Sequence, residues 1–250
     1  MNSPVRVLLN STRIYGAIIT LRVGPDDPTD FLVHRELLCD RSPFFTNAMK
    51  KEWTGDDGRI LKLPDDKPEN IKVYVAWLYS NRIFTKPEGE INKKSSVEFD
   101  RLVDAYIFGD KIQDSDFKDA IIDAIIEENE ESGSYYVKAR KIWEHTPPGA
   151  LIRRYIVDTF VWKGGKKWLE DDVMPYINQD FLVELGRALY EKIRSPKDYT
   201  GVAPFVRDSC LYHEHTSKGE PCYKASTRTI QCQAVMAVKN PKAHNKTSPQ

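Results

Sequence analysis

Apolar residues in this chain change their spacing at Pro64, and that change limits the folds open to it. Before Pro64, Ile19, Leu21 and Val23 alternate with Thr20 and Arg22, the period of a half-buried strand. After it, Ile71, Tyr74, Val75 and Leu78 recur at i, i+3, i+4 and i+7, and Phe99, Leu102, Val103, Tyr106 and Ile107 repeat that helical spacing. Phe117, Ala120, Ile121, Ala124 and Ile125 do so again. Ile122 and Ile126 add a second apolar stripe, the mark of a helix central to a core or covered by a partner, with the core favoured. The pattern reads as an α+β fold, a short three-stranded sheet capped by α-helices.

Turn chemistry sets the boundaries. Gly24-Pro25-Asp26-Asp27-Pro28 forces a reversal, so Phe31-Leu32-Val33 forms a hairpin with the first strand. Ser42-Pro43 starts a helix, with the hydroxyl capping free N–H groups and the proline sitting where no donor is needed. That helix carries Phe44, Phe45, Ala48 and Met49 and ends at Gly55-Asp56-Asp57-Gly58, after which Arg59 to Leu63 returns to strand. Thr146-Pro147-Pro148-Gly149 separates a second helical set, with stripes at Leu151, Ile152, Tyr155, Ile156, Thr159 and Phe160 and at Phe181, Leu182, Leu185, Ala188 and Leu189. The expected organisation is a domain over residues 14–131, a C-terminal helical extension over 132–197, and a loosely structured tail over 198–250 whose end, from Val238, is disordered.

With 37 Lys+Arg against 37 Asp+Glu and 40% hydrophobic residues, the chain is neither acidic nor basic overall and can bury a real core. The apolar run Val73 to Leu78 falls far short of the roughly 20 residues a bilayer needs, and Met1 to Asn10 lacks the apolar stretch of a signal peptide. Four cysteines argue against a disulfide framework, so the expected compartment is cytoplasmic or nuclear, where Asn10 and Asn245 would escape glycosylation. Between Glu98 and Glu131 the sequence holds 12 acidic against 3 basic residues, a face that would repel phosphate and makes nucleic acid a poor partner.

The pattern Phe31-x-Val33-His34-Arg35-x-x-Leu38-x-x-Arg41-Ser42-Pro43-Phe44-Phe45, then strand Ile60 to Leu63, Tyr74-x-x-Trp77-Leu78-Tyr79 and Leu102-Val103-x-x-Tyr106-x-x-Gly109-Asp110-Lys111, resembles the BTB (POZ) domain, in the branch abundant in filamentous fungi. The resemblance spans Ile18 to Glu131. It implies the BTB/POZ fold and a protein–protein interaction module, homodimeric or paired with other proteins. Self-pairing is then expected through the first strand (Ile19, Leu21, Val23) and the first helix (Leu37, Leu38, Cys39). Phe45, Met49 and Trp53 lie where the family's adaptors touch a cullin scaffold of ubiquitin ligases. The aligned triplet Met49-Lys50-Lys51 carries Lys where those adaptors have Glu, which ranks cullin docking second.

No nucleophile–base–orienter set or cofactor loop is visible, so no enzyme is expected. Gly164-Gly165-Lys166-Lys167 lacks the earlier Gly and the following Ser/Thr of a phosphate loop and reads as a surface turn. Asp123, Glu127, Glu128, Glu130 and Glu131 read as a solvated acidic helix end, and His34 as a tie between a strand end and a helix start. The one constellation with chemistry is Cys210-x2-His213-x-His215-x6-Cys222, two thiolates and two imidazoles able to hold zinc and so organise residues 205–232, with Cys232 a substitute ligand. The His213 and His215 side chains would share a face if the segment were a strand. A zinc-containing transcriptional regulator is the reading from another class that this cluster alone supports.

Overall fold

Strand β1 (Ile18–Val23) buries Ile19, Leu21 and Val23 and turns Ile18 outward, as its alternation requires. The structure is a computed structural model that describes residues 16–50, 59–86, 96–135, 138–170 and 173–225. Gly24, at φ 102°, takes the chain out of β1 in a conformation closed to most side chains, and β2 (Thr29–His34) returns antiparallel with Leu21 opposite Phe31. Helices α1 (Arg35–Arg41) and α2 (Pro43–Ala48) follow. Strand β3 (Ile60–Leu63) then pairs with the other edge of β1, in parallel, with Leu21 opposite Leu61. The sheet order is β2-β1-β3.

Ser42 caps α2 as its sequence position demands. Its Oγ accepts from the Phe45 N–H at 3.2 Å and donates to the Ile112 carbonyl at 2.5 Å, tying the helix start to a distant element. The apolar core that the sheet faces is shared with α3 (Pro68–Ser80), α4 (Ser96–Ile112) and α5 (Ser115–Ser132). Tyr74 is the centre of this core, with ring centroids 6.1 Å from Phe45, 5.6 Å from Phe108 and 5.0 Å from Phe117. Its hydroxyl donates to Asp114, the N-cap of α5, at 3.0 Å. Burial pushes the Asp114 carboxyl up to about 6, although Arg41 and the hydrogen bonds from Phe117 and Tyr74 oppose it. Gly109 allows α4 and α5 their close approach: a Cβ there would lie 2.9 Å from Lys118 Cγ and 3.0 Å from Phe117 Cδ1.

The second helical set comprises α6 (Ala139–His145), α7 (Leu151–Lys163) and α8 (Gln179–Arg194). The Pro147-Pro148 break leaves carbonyls at the end of α6 unpaired by helix, and buried Arg153 donates to the carbonyls of Trp143 and Thr146. Phe181 packs edge-on against Trp143 and Phe160, at 5.1 and 4.9 Å.

The described residues 198–225 are more ordered than the expected loose tail. Helical turns at α9 (Pro204–Arg207), Ser209–Tyr212 and α10 (Glu214–Lys218) bury Phe205, Tyr212 and His213, and Tyr212 sits edge-on to Tyr155 at 5.7 Å with its hydroxyl 2.6 Å from Asp158. Among the described residues no helix is long and apolar enough to cross a membrane. The expected turn at Gly55–Gly58, the cullin-position residues Lys51 and Trp53, the alternative ligand Cys232 and the expected disordered end all lie outside the described residues.

Candidate metal centre

The four residues singled out by the Cys/His spacing converge. One donor atom from each of Cys210, His213, His215 and Cys222 lies within 4.8 Å of every other. Donors around a tetrahedral zinc sit about 3.3–3.8 Å apart, so these need draw in by only about 1 Å.

Local structure explains the convergence. Asp208 caps the turn Ser209–Tyr212 by accepting the Cys210 N–H at 3.0 Å. His213 is the N-cap residue of α10 and His215 lies in its first turn, so the two rings meet at a helix start and not as alternate residues of a strand; their centroids are 5.4 Å apart. Gly219, at φ 66°, ends α10 in the left-handed conformation and reverses the chain, which brings Cys222 back until its Sγ is 3.9 Å from His213 Nδ1.

Helix α5 forms the floor. Asp119 accepts the Glu214 N–H at 2.7 Å, supplying the cap that the His213 side chain does not. Burial holds the Asp119 carboxyl up at about 6. One turn on, Asp123 places Oδ1 3.2 Å from His213 Nε2, and its Oδ2 takes the Tyr223 hydroxyl at 2.6 Å and the Lys224 ammonium at 2.8 Å. Burial alone would raise Asp123, but the bonds from His213, Lys224, Ser209 and Tyr223 outweigh it and hold the carboxyl well below the usual range. Asp123 is thus not part of a solvated acidic end. Much of the acidic stretch is likewise spent on ion pairs: Asp104 with Lys67 and Lys141, Asp110 with Lys118, and Glu130 with Lys163.

The donor set fits a metal ion. Burial and then the neighbouring Cys222 push the Cys210 thiol up to about 11, and burial and His213 lower His215, so both groups are held neutral; the imidazole is thereby kept in its ligating form, whereas a divalent cation would have to displace the thiol proton. His213 Nε2 and His215 Nε2 are both buried without a hydrogen bond, the 3.2 Å approach of Asp123 Oδ1 to His213 being off the line of an N–H donor, and a metal bond would satisfy the His215 orphan. The cluster can therefore bind a metal.

The expected interface residues lie elsewhere, and most need correction. Ile19, Leu21, Val23, Leu38, Phe45 and Met49 face the chain's own core, because the apolar phase of β1 and the inner faces of α1 and α2 are what the sheet and helices bury against each other. Leu37 and Cys39 are half-buried. What the strands expose is the opposite phase. Thr20 lies between Leu32 and Ile60 across the three strands, with Ile18 one step along, and Leu32, Ile18 and Ile60 are 69%, 54% and 39% exposed. His34 ties the end of β2 to the last turn of α3 and not to the start of α1: its Nδ1 lies 2.6 Å from the Tyr79 hydroxyl, which also takes the His34 N–H. Gly164 and Gly165 lie in a surface turn.

No protein-family model matches the chain, and no curated protein matches it.

Proposed function

We propose that this chain is a non-enzymatic protein-interaction module of the BTB/POZ type, that it pairs with itself, and that zinc holds its C-terminal segment in place. The observation that carries the pairing is the outer face of the sheet, where Leu32, Ile18 and Ile60 expose apolar side chains around Thr20. Among the described residues β2 and β3 also each leave one edge without a neighbouring strand, a second route to pairing with another chain. A C2 dimer needs only one such patch, because it meets its own copy.

Zinc is favoured over harder cations by the two thiolates and two imidazoles, and four protein donors fill a tetrahedral shell with no position for a reacting water, the arrangement of a structural site. Thiolate ligands need a reducing compartment, which supports cytosol or nucleus. Cullin docking has less support, since Phe45 and Met49 point into the core.

Two measurements test the reading. Sedimentation of the full chain across a dilution series should show a concentration-dependent dimer, and a monomer throughout would remove the pairing. Purified protein should carry one zinc per chain, lost on Cys210→Ala; no stoichiometric metal would remove the zinc.

A further inference from the structure

Nothing in the Cys/His spacing pointed to helix α5, yet the histidine buried deepest in the cluster is held from there. His213 is almost fully buried, and its two ring nitrogens face different groups. Nδ1 looks toward Cys222 Sγ at 3.9 Å, while Nε2 lies 3.2 Å from Asp123 Oδ1, an ion-pair approach that is off line for a hydrogen bond and that drawing the ring onto a metal would align. A neutral imidazole carries one proton, and the carboxylate fixes which nitrogen has it. With the proton on Nε2, the lone pair of Nδ1 is left for the metal. A histidine ligand backed by a carboxylate in this way is both oriented and made more basic.

We propose that Asp123 is the positioning residue of the zinc site, so that metal affinity depends on the C-terminal segment being seated on α5. This rests on the zinc reading above. The coupling runs both ways. Asp123 and Asp119 lie one helical turn apart, at i and i+4 on one face of α5, and they hold the His213 ring and the Glu214 N–H respectively. Tyr223 and Lys224, immediately after the ligand Cys222, bind the other Asp123 oxygen, and the Tyr223 ring meets Trp77 edge-on at 5.8 Å. A metal that draws Cys210, His213, His215 and Cys222 together therefore clamps the segment to the helical core, and a segment lifted from α5 loses the carboxylate that aims His213.

The test is a competition titration of Zn2+ against a chromophoric chelator, with the full chain, comparing wild type, Asp123→Asn and Tyr223→Phe. Asp123→Asn should weaken zinc binding by about 10- to 100-fold, while the visible bands of the Co2+-loaded protein keep their tetrahedral thiolate form, because all four ligands remain. Tyr223→Phe removes a bond to Oδ2 and leaves the Oδ1 contact with His213, so its affinity should fall by less than that of Asp123→Asn. If Asp123→Asn cannot be purified folded, Asp123→Glu, which moves the carboxylate by one methylene, is read in the same way. Unchanged zinc affinity in a folded Asp123 variant would overturn the positioning role and leave the zinc site standing. A wild-type chain that binds no Zn2+ would overturn both.

Discussion

Asp114 offers the cleanest test of how the core is held, because its charge is disfavoured by burial while its geometry suits a neutral amide equally well. The carboxyl is raised from 3.8 to about 6, chiefly by burial. A carboxyl whose folded value lies above its unfolded one binds its proton more tightly in the folded chain, so its contribution to stability is present below about pH 4 and is lost as pH rises through about 6. Over the part of that window between about pH 4.5 and 6 the loss is about 2 kcal/mol, at 1.36 kcal/mol for each pH unit. Asn keeps an oxygen to accept the Phe117 N–H, now 2.9 Å away, and ranks with Asp as an N-cap. Urea unfolding of wild type and Asp114→Asn should therefore give similar stabilities at about pH 4.5, with the variant gaining on wild type by about 2 kcal/mol as pH approaches 7. Groups that titrate in both proteins, Asp119 included, cancel in the difference. A difference that stays flat with pH, or that favours the wild type increasingly as pH rises, would refute the assignment.

Three further outcomes follow from the packing. Gly109→Ala should destabilise by about 1–2 kcal/mol in thermal unfolding, since the new methyl meets Phe117 and the ion-paired Lys118 and the cost exceeds the gain in helix propensity. Tyr212→Ala should cost about 3–5 kcal/mol in chemical denaturation, which a loose tail would not show, because the ring is fully buried beside Tyr155 and Phe205. Saturating zinc, at a hundredfold over its Kd, should stabilise the chain by about 2.7 kcal/mol in a thermal scan, and chelation should open the segment around residues 203–225 to limited proteolysis.

The strands and long helices were legible because each has a period. Alternation at Ile19, Leu21 and Val23 gave β1 its inner face, and the stripes from Ile71 to Ile126 and from Leu151 to Leu189 gave the helices theirs. The parallel pairing of β3 with β1 was not legible, because period two fixes a face and says nothing of which edge is joined. The order of residues 198–225 was not legible for a related reason: Phe205, Tyr212 and His213 are buried one at a time by turns of four or five residues, too short to show a stripe. Cysteine and histidine chemistry found the four donors. Their carboxylate supports escaped notice because Asp119 and Asp123 sit in a highly acidic stretch, where the identity of an Asp says nothing of what faces it. Their i, i+4 spacing was the one available signal.

The expected pairing residues were wrong in phase. The alternation that makes Ile19, Leu21 and Val23 apolar is the alternation that hides them, and it leaves Ile18, Leu32 and Ile60 exposed.

The self-pairing is tested most directly by sedimentation of the full chain and of Leu32→Asp. Leu32 is 69% exposed, so the substitution leaves the core untouched and places a charge at the most exposed of the three apolar residues on that face. The wild type should pass from monomer to dimer as concentration rises while Leu32→Asp, with an unchanged circular dichroism spectrum, stays monomeric. Identical dimerisation of the two proteins, or a wild type that never leaves the monomer, would contradict it.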